Sequence, residues 1–383
     1  MQETQQLPPG IRAVVKDLAE DPGQGIEQNI GLEAQPVPDI STLKSDDVVV
    51  AIRSSAVSWV DVLMTSGQYQ HIPTLPYTPG LEYAGTVAWK GSDVSDERFE
   101  LGDKVYVACF STGPRSSGDY QSYGGFASYA VAPSSAVNRM PDNFTYDQAC
   151  NFAGNFETAY HCLVDCGQLQ SGETILIHGA SGATGLAAVQ IAKTLGATVI
   201  ATGRTLSKLE MVREHGADHI ISVARDDDEP GIKRFRDEVK ALTDGKGVDV
   251  VYDAVGGDIS LESLRCVKFG ARFLIVGWAS TPLVAKGKGG RGAPNANMLP
   301  TNLIMMKGLK VLGCPMVIST QNDPSIRPPR VAKLKEWAEA GKIAPHVSHV
   351  FELENAKGAM AARWKGEILG GCVVRPPQLP LAD

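Results

Sequence analysis

The 383-residue sequence has no run of about 18 apolar residues, so it offers no segment able to cross a bilayer as a helix. It has no basic surplus either. Lys and Arg number 36 against 43 Asp and Glu, and the net charge of −7 argues against nucleic acid or an anionic membrane as a main partner. The first ten residues, MQETQQLPPG, lack the basic start and apolar core of a secretory signal, so a cytoplasmic location is expected. Cysteine is sparse and unpatterned. The seven, at 109, 150, 162, 166, 266, 314 and 372, are odd in number and irregularly spaced, which fits reduced thiols better than a disulfide framework. Cys162 and Cys166 stand four apart with no second pair, a spacing that reads as helix packing rather than a metal site. No internal repeat is present.

Against these absences, residues 174–203 carry a dense signal. An apolar run, Thr174 to His178, gives way to the turn Gly179, Ala180, Ser181, Gly182. A helical pattern then places Ala188, Ile191, Ala192 and Leu195 on one face, Gly196 stops it, and a second apolar run, Thr198 to Thr202, follows. This predicts a βαβ unit with parallel strands. Its turn, Ala180-x-Gly182-x-x-Gly185, is the dinucleotide fingerprint with one substitution. Missing side chains let the backbone approach a pyrophosphate, and the helix N-terminus supplies free N–H groups and partial positive charge.

The end of the second run lacks the carboxylate that would bind a ribose 2′-hydroxyl. It has Thr202, Gly203 and Arg204 instead, with Lys208 a turn later. Two cations there would attract a 2′-phosphate, so NADPH is expected over NADH, unless the two are merely charges at an exposed helix start.

Around this unit the patterning changes twice. Period-two runs at 11–15, 47–53, 82–89, 104–110 and 126–131 predict a β-rich first part, interrupted by a polar and aromatic loop at 111–125 that is either mobile or functional. From 174 strands and helices alternate, with a helix expected at 260–267 and the sixth strand at 309–313. The stretch 286–297, rich in glycine and lysine, reads as a flexible surface loop, and the acidic run 226–229 as a solvated connection. The material after 315 has no place in a complete six-stranded doubly wound sheet and is expected to pack on the first part. The predicted class is α/β, with a cofactor-binding Rossmann domain at 146–315 and a discontinuous catalytic domain, which binds the substrate, at 1–145 and 316–383.

Several motifs occur in a characteristic order: PGLEYAG (79–85), LGDKVYV (101–107), GGFASYA (124–130), ETAYHCL (157–163), IHGASGATG (177–185), VDVVYDAVGG (248–257) and ILGGCVV (368–374). With them the chain resembles the medium-chain dehydrogenases/reductases, of the zinc-free quinone oxidoreductase type, over nearly its full length apart from the loops 111–125 and 286–297. The resemblance implies that the β-rich domain is GroES-like. Zinc alcohol dehydrogenases of this superfamily ligate the metal with a Cys, the His of a GHE run and a third Cys or acid. The matching positions here look like Ser58, Leu81 and roughly Gly154, which cannot ligate zinc, and the cysteine-rich zinc lobe is also absent. No metal is therefore expected, and the reactions left are reductions of acceptors already electrophilic, quinones or alkenes conjugated to a carbonyl.

Carried over residue by residue, the resemblance places Thr158 at the nicotinamide end and Ala180, Ser181, Gly182, Ala183, Thr184 and Gly185 at the pyrophosphate. It places Val255 and Gly256 beside the adenine-side ribose, and Val276, Gly277 and Trp278 near the nicotinamide. The tyrosine with which the family often meets the 2′-phosphate is replaced by Val223, where Arg225 could substitute. The family's active-site N-x-x-D becomes Ser58 with Asp61 kept. Tyr69 would donate a hydrogen bond or proton to the oxyanion formed on reduction, or else pack in the wall of the cleft. Trp59, Tyr120 and Tyr123 are candidates to line an acceptor pocket, whereas His161 and His178 read as core histidines. The resemblance also implies a homodimer through the edge strand at 309–313. Two alternatives remain open: an enoyl-thioester reductase acting on acyl-CoA or acyl carrier protein, and a non-catalytic NADPH-binding sensor or structural protein.

Overall fold

The structure, a computed structural model, describes residues 8–108, 112–116, 118–225, 231–281, 283 and 296–378. Cys109, the acidic run 226–229 and the loop 286–297 up to residue 295 lie outside the described residues. No described helix is long and apolar enough to cross a membrane. The described cysteines are all free thiols.

The chain divides into two compact units. In the first, residues 8–154 with 345–378, a strand Asp47–Ala56 is the centre of a seven-stranded sheet and pairs with Tyr83–Lys90, Tyr129–Pro133 and Gly371–Arg375. Its alternation serves two cores. Val48, Val50 and Ile52 pack with Tyr83, Val87 and Val105, while Val49 and Ala51 face the other way onto Tyr129 and Val131. A separate hairpin pairs Gly10–Val15 with Ile30–Gln35. The strand expected at 126–131 runs instead over Tyr129–Pro133, because Phe126 is taken into a hydrophobic core beside Tyr77 and Leu81.

The second unit, residues 155–283 with 296–344, is built on six parallel strands. In chain order they are Thr174–His178, Thr198–Gly203, His219–Ser222, Val248–Asp253, Val267–Ile275 and Lys310–Gly313. Their spatial order is third, second, first, fourth, fifth, sixth, the doubly wound arrangement expected. The first strand lies where the order reverses. Ile175, Leu176 and Ile177 there have no exposed surface, as an inner strand covered on both faces requires. The helix expected at 260–267 is shorter, Asp258–Ser263. Leu264 and Cys266 close the core, and Val267 already begins the next strand.

The material after the sixth strand differs from expectation. Residues 316–344 belong to the second unit, and only 345–378 return to the first. The reason is a set of polar ties. Helix Arg327–Glu339 places the Arg327 guanidinium on the Glu157 carboxylate at 3.0 and 3.1 Å and buries Arg330 against Asp165 at 2.9 Å. Trp337 lies 5.7 Å from the Tyr160 ring, and both ends of the Gln190 amide bond the backbone of Ala344, at 2.8 and 3.0 Å.

Candidate functional site

In the second unit, the turn after the first parallel strand is shaped by what its glycines leave out. Gly179 has a φ of +65°, and a Cβ on Gly185 would lie 2.2 Å from the Gly179 carbonyl oxygen. The turn thus folds tightly onto the strand and delivers the chain into helix Ala183–Thr194, with Gly182 as its N-cap. No side chain caps that N-terminus. The first-turn N–H groups and the positive end of the helix dipole are therefore open to an anion. Ala180 is buried beneath, while Ser181, Gly182, Ala183 and Thr184 reach the surface. The Thr184 hydroxyl donates to Asn155 Oδ1 at 2.9 Å, three residues from Thr158 on helix Ala153–Tyr160. Sequence reasoning missed Asn155, since nothing local distinguishes it.

Arg204 follows the second parallel strand directly, exposed and without an ion pair among the described residues. Lys208 lies in the first turn of the next helix, Leu206–Glu214, half-buried. Val223 is buried and presents no polar group there.

Val255 and Gly256 follow the fourth strand, which flanks the first strand on the side away from the second, whereas Arg204 and Lys208 follow the second. Val255 and Gly256 group with Val276, Gly277 and Trp278, which follow the fifth strand. A Cβ on Gly256 would stand 3.3 Å from Trp278 Cα. This side is organised by Asp253, an unassigned member of the VDVVYDAVGG run. Its Oδ1 accepts from the N–H groups of Val255 and Gly256, both at 2.9 Å, and its Oδ2 accepts from Ser260. Asn297 completes the knot, donating to Ser260 at 2.8 Å and accepting from Gly257 N at 3.2 Å.

His178 and His161 are core histidines. His178 is fully buried between Thr202 and Ser263, at 2.7 and 2.6 Å, and His161 contacts Asp165, Arg330 and Cys166.

In the first unit, Ser58 and Asp61 meet in a capping box that starts the short helix Trp59–Met64. Ser58 Oγ donates to Asp61 Oδ2 at 2.6 Å and accepts from Asp61 N at 3.1 Å. The other Asp61 oxygen accepts from Gly80 N at 2.9 Å. Burial raises the Asp61 carboxyl, opposed by the bonds from Ser58 and Gly80 and by the nearby Arg363. The Ser58 proton is thus directed at Asp61, which makes the pair a joint that fixes the loop at Gly80. Tyr69 is half-buried at the edge of a hydrophobic core, and the Arg115 guanidinium sits over its ring, 5.3 Å from the centroid.

The aromatic candidates are otherwise engaged. Tyr120 donates to Asp47 at 2.6 Å under Lys44, Tyr123 packs against both sheet cores, and Trp59 stacks on Trp364 at 5.4 Å. At the positions matched to zinc ligands, Leu81 is a buried hydrocarbon. Gly154 donates its N–H to Glu82 Oε1 at 2.7 Å, and a side chain there would collide with that carboxylate. Among the described residues no three His, Cys, Asp or Glu gather as metal ligands.

Residues 44–142 match the model of the alcohol dehydrogenase GroES-like domain, and 183–326 that of the zinc-binding dehydrogenases. The quinone oxidoreductase-like protein 2 homolog of Nematostella vectensis is 31% identical over 338 residues, covering 88% of this chain and 83% of its own. The chain belongs to the medium-chain dehydrogenases/reductases of quinone oxidoreductase type. Among solved structures of this family, the quinone oxidoreductase of Pseudomonas syringae pv. Tomato DC3000 superposes with a TM-score of 0.75 at 25% identity, over 96% of this chain and all of that one. A mycobacterial protein complexed with NADPH gives 0.75 at 24% identity, over 96% of this chain and 100% of its own, a likeness of fold. In this oxidoreductase family the β-rich unit is the GroES-like domain and the parallel sheet the Rossmann domain.

Proposed function

We propose that the chain is an NADPH-dependent, zinc-independent oxidoreductase that reduces a quinone or an alkene conjugated to a carbonyl. The observation that carries this reading is the uncapped N-terminus of helix Ala183–Thr194, entered by a turn that needs glycine at 179 for its positive φ and at 185 for its close approach to the backbone. A dinucleotide fits that turn, with Ala180 and Gly185 shaping it, Gly182 adding no side chain to block the approach, and the N–H groups of Ser181, Ala183 and Thr184 free to face the pyrophosphate. Arg204 and Lys208 would take the 2′-phosphate, and no carboxylate stands at 202–205 to repel it. Thr158, Val255, Gly256, Val276, Gly277 and Trp278 would flank the other end. The cofactor, when bound, supplies a hydride.

The chain's own chemistry lies in what it does to the acceptor. Tyr69 would donate a hydrogen bond or proton to the oxygen that gains charge on reduction. Ser58 and Asp61 act by holding the Gly80 loop in place. Zinc does not fit, because Leu81 and Gly154 carry no donor, so an alcohol would have no Lewis acid to acidify it. In this reading residues 8–154 with 345–378 bind the acceptor and the parallel-sheet unit binds the cofactor. The names of the relatives, quinone oxidoreductase and its like, agree with this acceptor class. We further propose a homodimer, because the sixth parallel strand is an edge strand, unpaired on one side among the described residues.

The test follows NADPH oxidation with 1,4-benzoquinone, a small enone and crotonyl-CoA side by side, and repeats each with NADH. Turnover of the first two with preference for NADPH is expected. Turnover of crotonyl-CoA alone would make the chain an enoyl-thioester reductase. Tight NADPH binding without turnover of any acceptor would make it a sensor.

A further inference from the structure

We propose that Arg115 recognises an anionic group on the acceptor, so that the true substrates carry a carboxylate or phosphate beside the reducible quinone or enone. The inference rests on the reading of Tyr69 as an acceptor-facing residue. Its first support is a contrast among arginines of the same unit. Arg12, Arg53, Arg98, Arg139, Arg363 and Arg375 each have an oxygen partner, whether carboxylate, amide or backbone carbonyl. Arg115 has none among the described residues, although it is half-buried. Among the described residues its guanidinium sits over the Tyr69 ring, 5.3 Å from the centroid. Stacking on a ring face satisfies the cation but leaves the five N–H donors at its edge unused. A half-buried cation held against a ring with its planar fork unused is matched in shape and charge by a carboxylate or phosphate.

The second support is that the position is built. Ser116, next to Arg115, is buried, and its hydroxyl donates to Gly113 O at 2.8 Å. Gln121 reaches back to Ser116 O at 2.8 Å and across to Thr74 N at 3.1 Å. Gly113 N donates to Tyr120 O at 3.1 Å, and Tyr120 is held by Asp47. These bonds hold the backbone on both sides of Arg115. The loop that carries it lies outside the motifs of the family resemblance.

The test uses wild type, Arg115→Gln and Arg115→Lys with NADPH on two matched pairs. One is 4-oxopent-2-enoate and its methyl ester, and the other is crotonyl-CoA and the neutral crotonyl thioester of N-acetylcysteamine. In Arg115→Gln the anionic-to-neutral ratio of kcat/KM should fall about tenfold or more in one pair, with the neutral member within about twofold of wild type. Arg115→Lys should restore part of it. A fall in the first pair identifies a carboxylate, and in the second a phosphate. An unchanged ratio in both pairs, or an equal loss for anionic and neutral members, overturns the proposal. Calorimetric binding of 4-oxopentanoate and of coenzyme A to the same proteins needs no turnover. Arg115-dependent binding without catalysis would uphold anion recognition and remove the reductase reading. Arg115-independent binding alongside turnover of the neutral acceptors would do the reverse.

Discussion

Gly185 stands against Gly179 so closely that a Cβ on the former would lie 2.2 Å from the carbonyl oxygen of the latter and 2.9 Å from Ala180 Cα. Both neighbours are backbone, so neither can rotate away. Gly185→Ala should therefore push helix Ala183–Thr194 off the first parallel strand, at a cost of about 1–3 kcal/mol and a fall of several degrees in Tm. Because the same displacement moves the first-turn N–H groups, NADPH titrated by its fluorescence should bind at least about tenfold more weakly. Wild-type Tm and affinity in this variant would show that the turn can relax.

That turn was legible in the sequence because every requirement on it is local: a positive φ at Gly179, a close approach at Gly185, an apolar strand before and a helical period after. The six strands and the doubly wound class followed from the alternation of strands and helices, which is read from local pattern. What stayed hidden depends on partners distant in the chain. The stretch 316–344 looked like a return to the first domain, and distant ties such as that of Arg327 with Glu157, 170 residues away, fix it elsewhere. Asn155 and Asn297 act through Thr184 and Ser260, contacts that no periodicity announces. Ser58 read as a weakened form of a catalytic asparagine, whereas its hydroxyl is turned into its own helix cap.

Arg204→Glu tests the cofactor preference. The exposed guanidinium lies at the end of the second parallel strand without an ion pair among the described residues. Replacing it with a carboxylate removes an attraction for a 2′-phosphate and adds a repulsion, while a ribose 2′-hydroxyl gains an acceptor. The ratio of kcat/KM for NADPH over NADH should drop about tenfold or more. Stability should barely change, since the site is exposed. An unaltered ratio would mean that Arg204 is only a surface charge.

Asp253→Asn tests the knot after the fourth strand. Its Oδ1 holds two backbone N–H groups, each at 2.9 Å, and charge-assisted bonds of this kind contribute about 1.5–3 kcal/mol. The amide leaves one set of partners mismatched, and the Val255–Gly257 loop should loosen. Amide exchange at Val255 and Gly256 is expected to accelerate, with NADPH affinity falling in step. Faster exchange with undiminished affinity would place this loop outside the cofactor site.

The last prediction concerns pH and His178. Ser263 already donates its hydroxyl proton to Ile259 O at 2.6 Å, so it can only accept from His178 Nε2, and Nδ1 must accept from Thr202. Both ring nitrogens are thereby satisfied in the neutral form. Burial lowers the imidazole pKa to about 4, with the Asp253 charge opposing that shift. An unfolded chain protonates this histidine near pH 6.5, while the folded chain resists until about 4. The stabilising contribution is therefore complete above 6.5 and lost as pH falls through that window, by up to about 3 kcal/mol. Urea unfolding of wild type and His178→Gln between pH 7 and 4 measures it. The variant loses the fitted hydrogen bonds and should be less stable at pH 7. It should also lose less on acidification, so that the two curves converge. Parallel curves would mean that His178 protonates freely in the fold, and that the hydroxyl pair around it does not enforce a neutral ring.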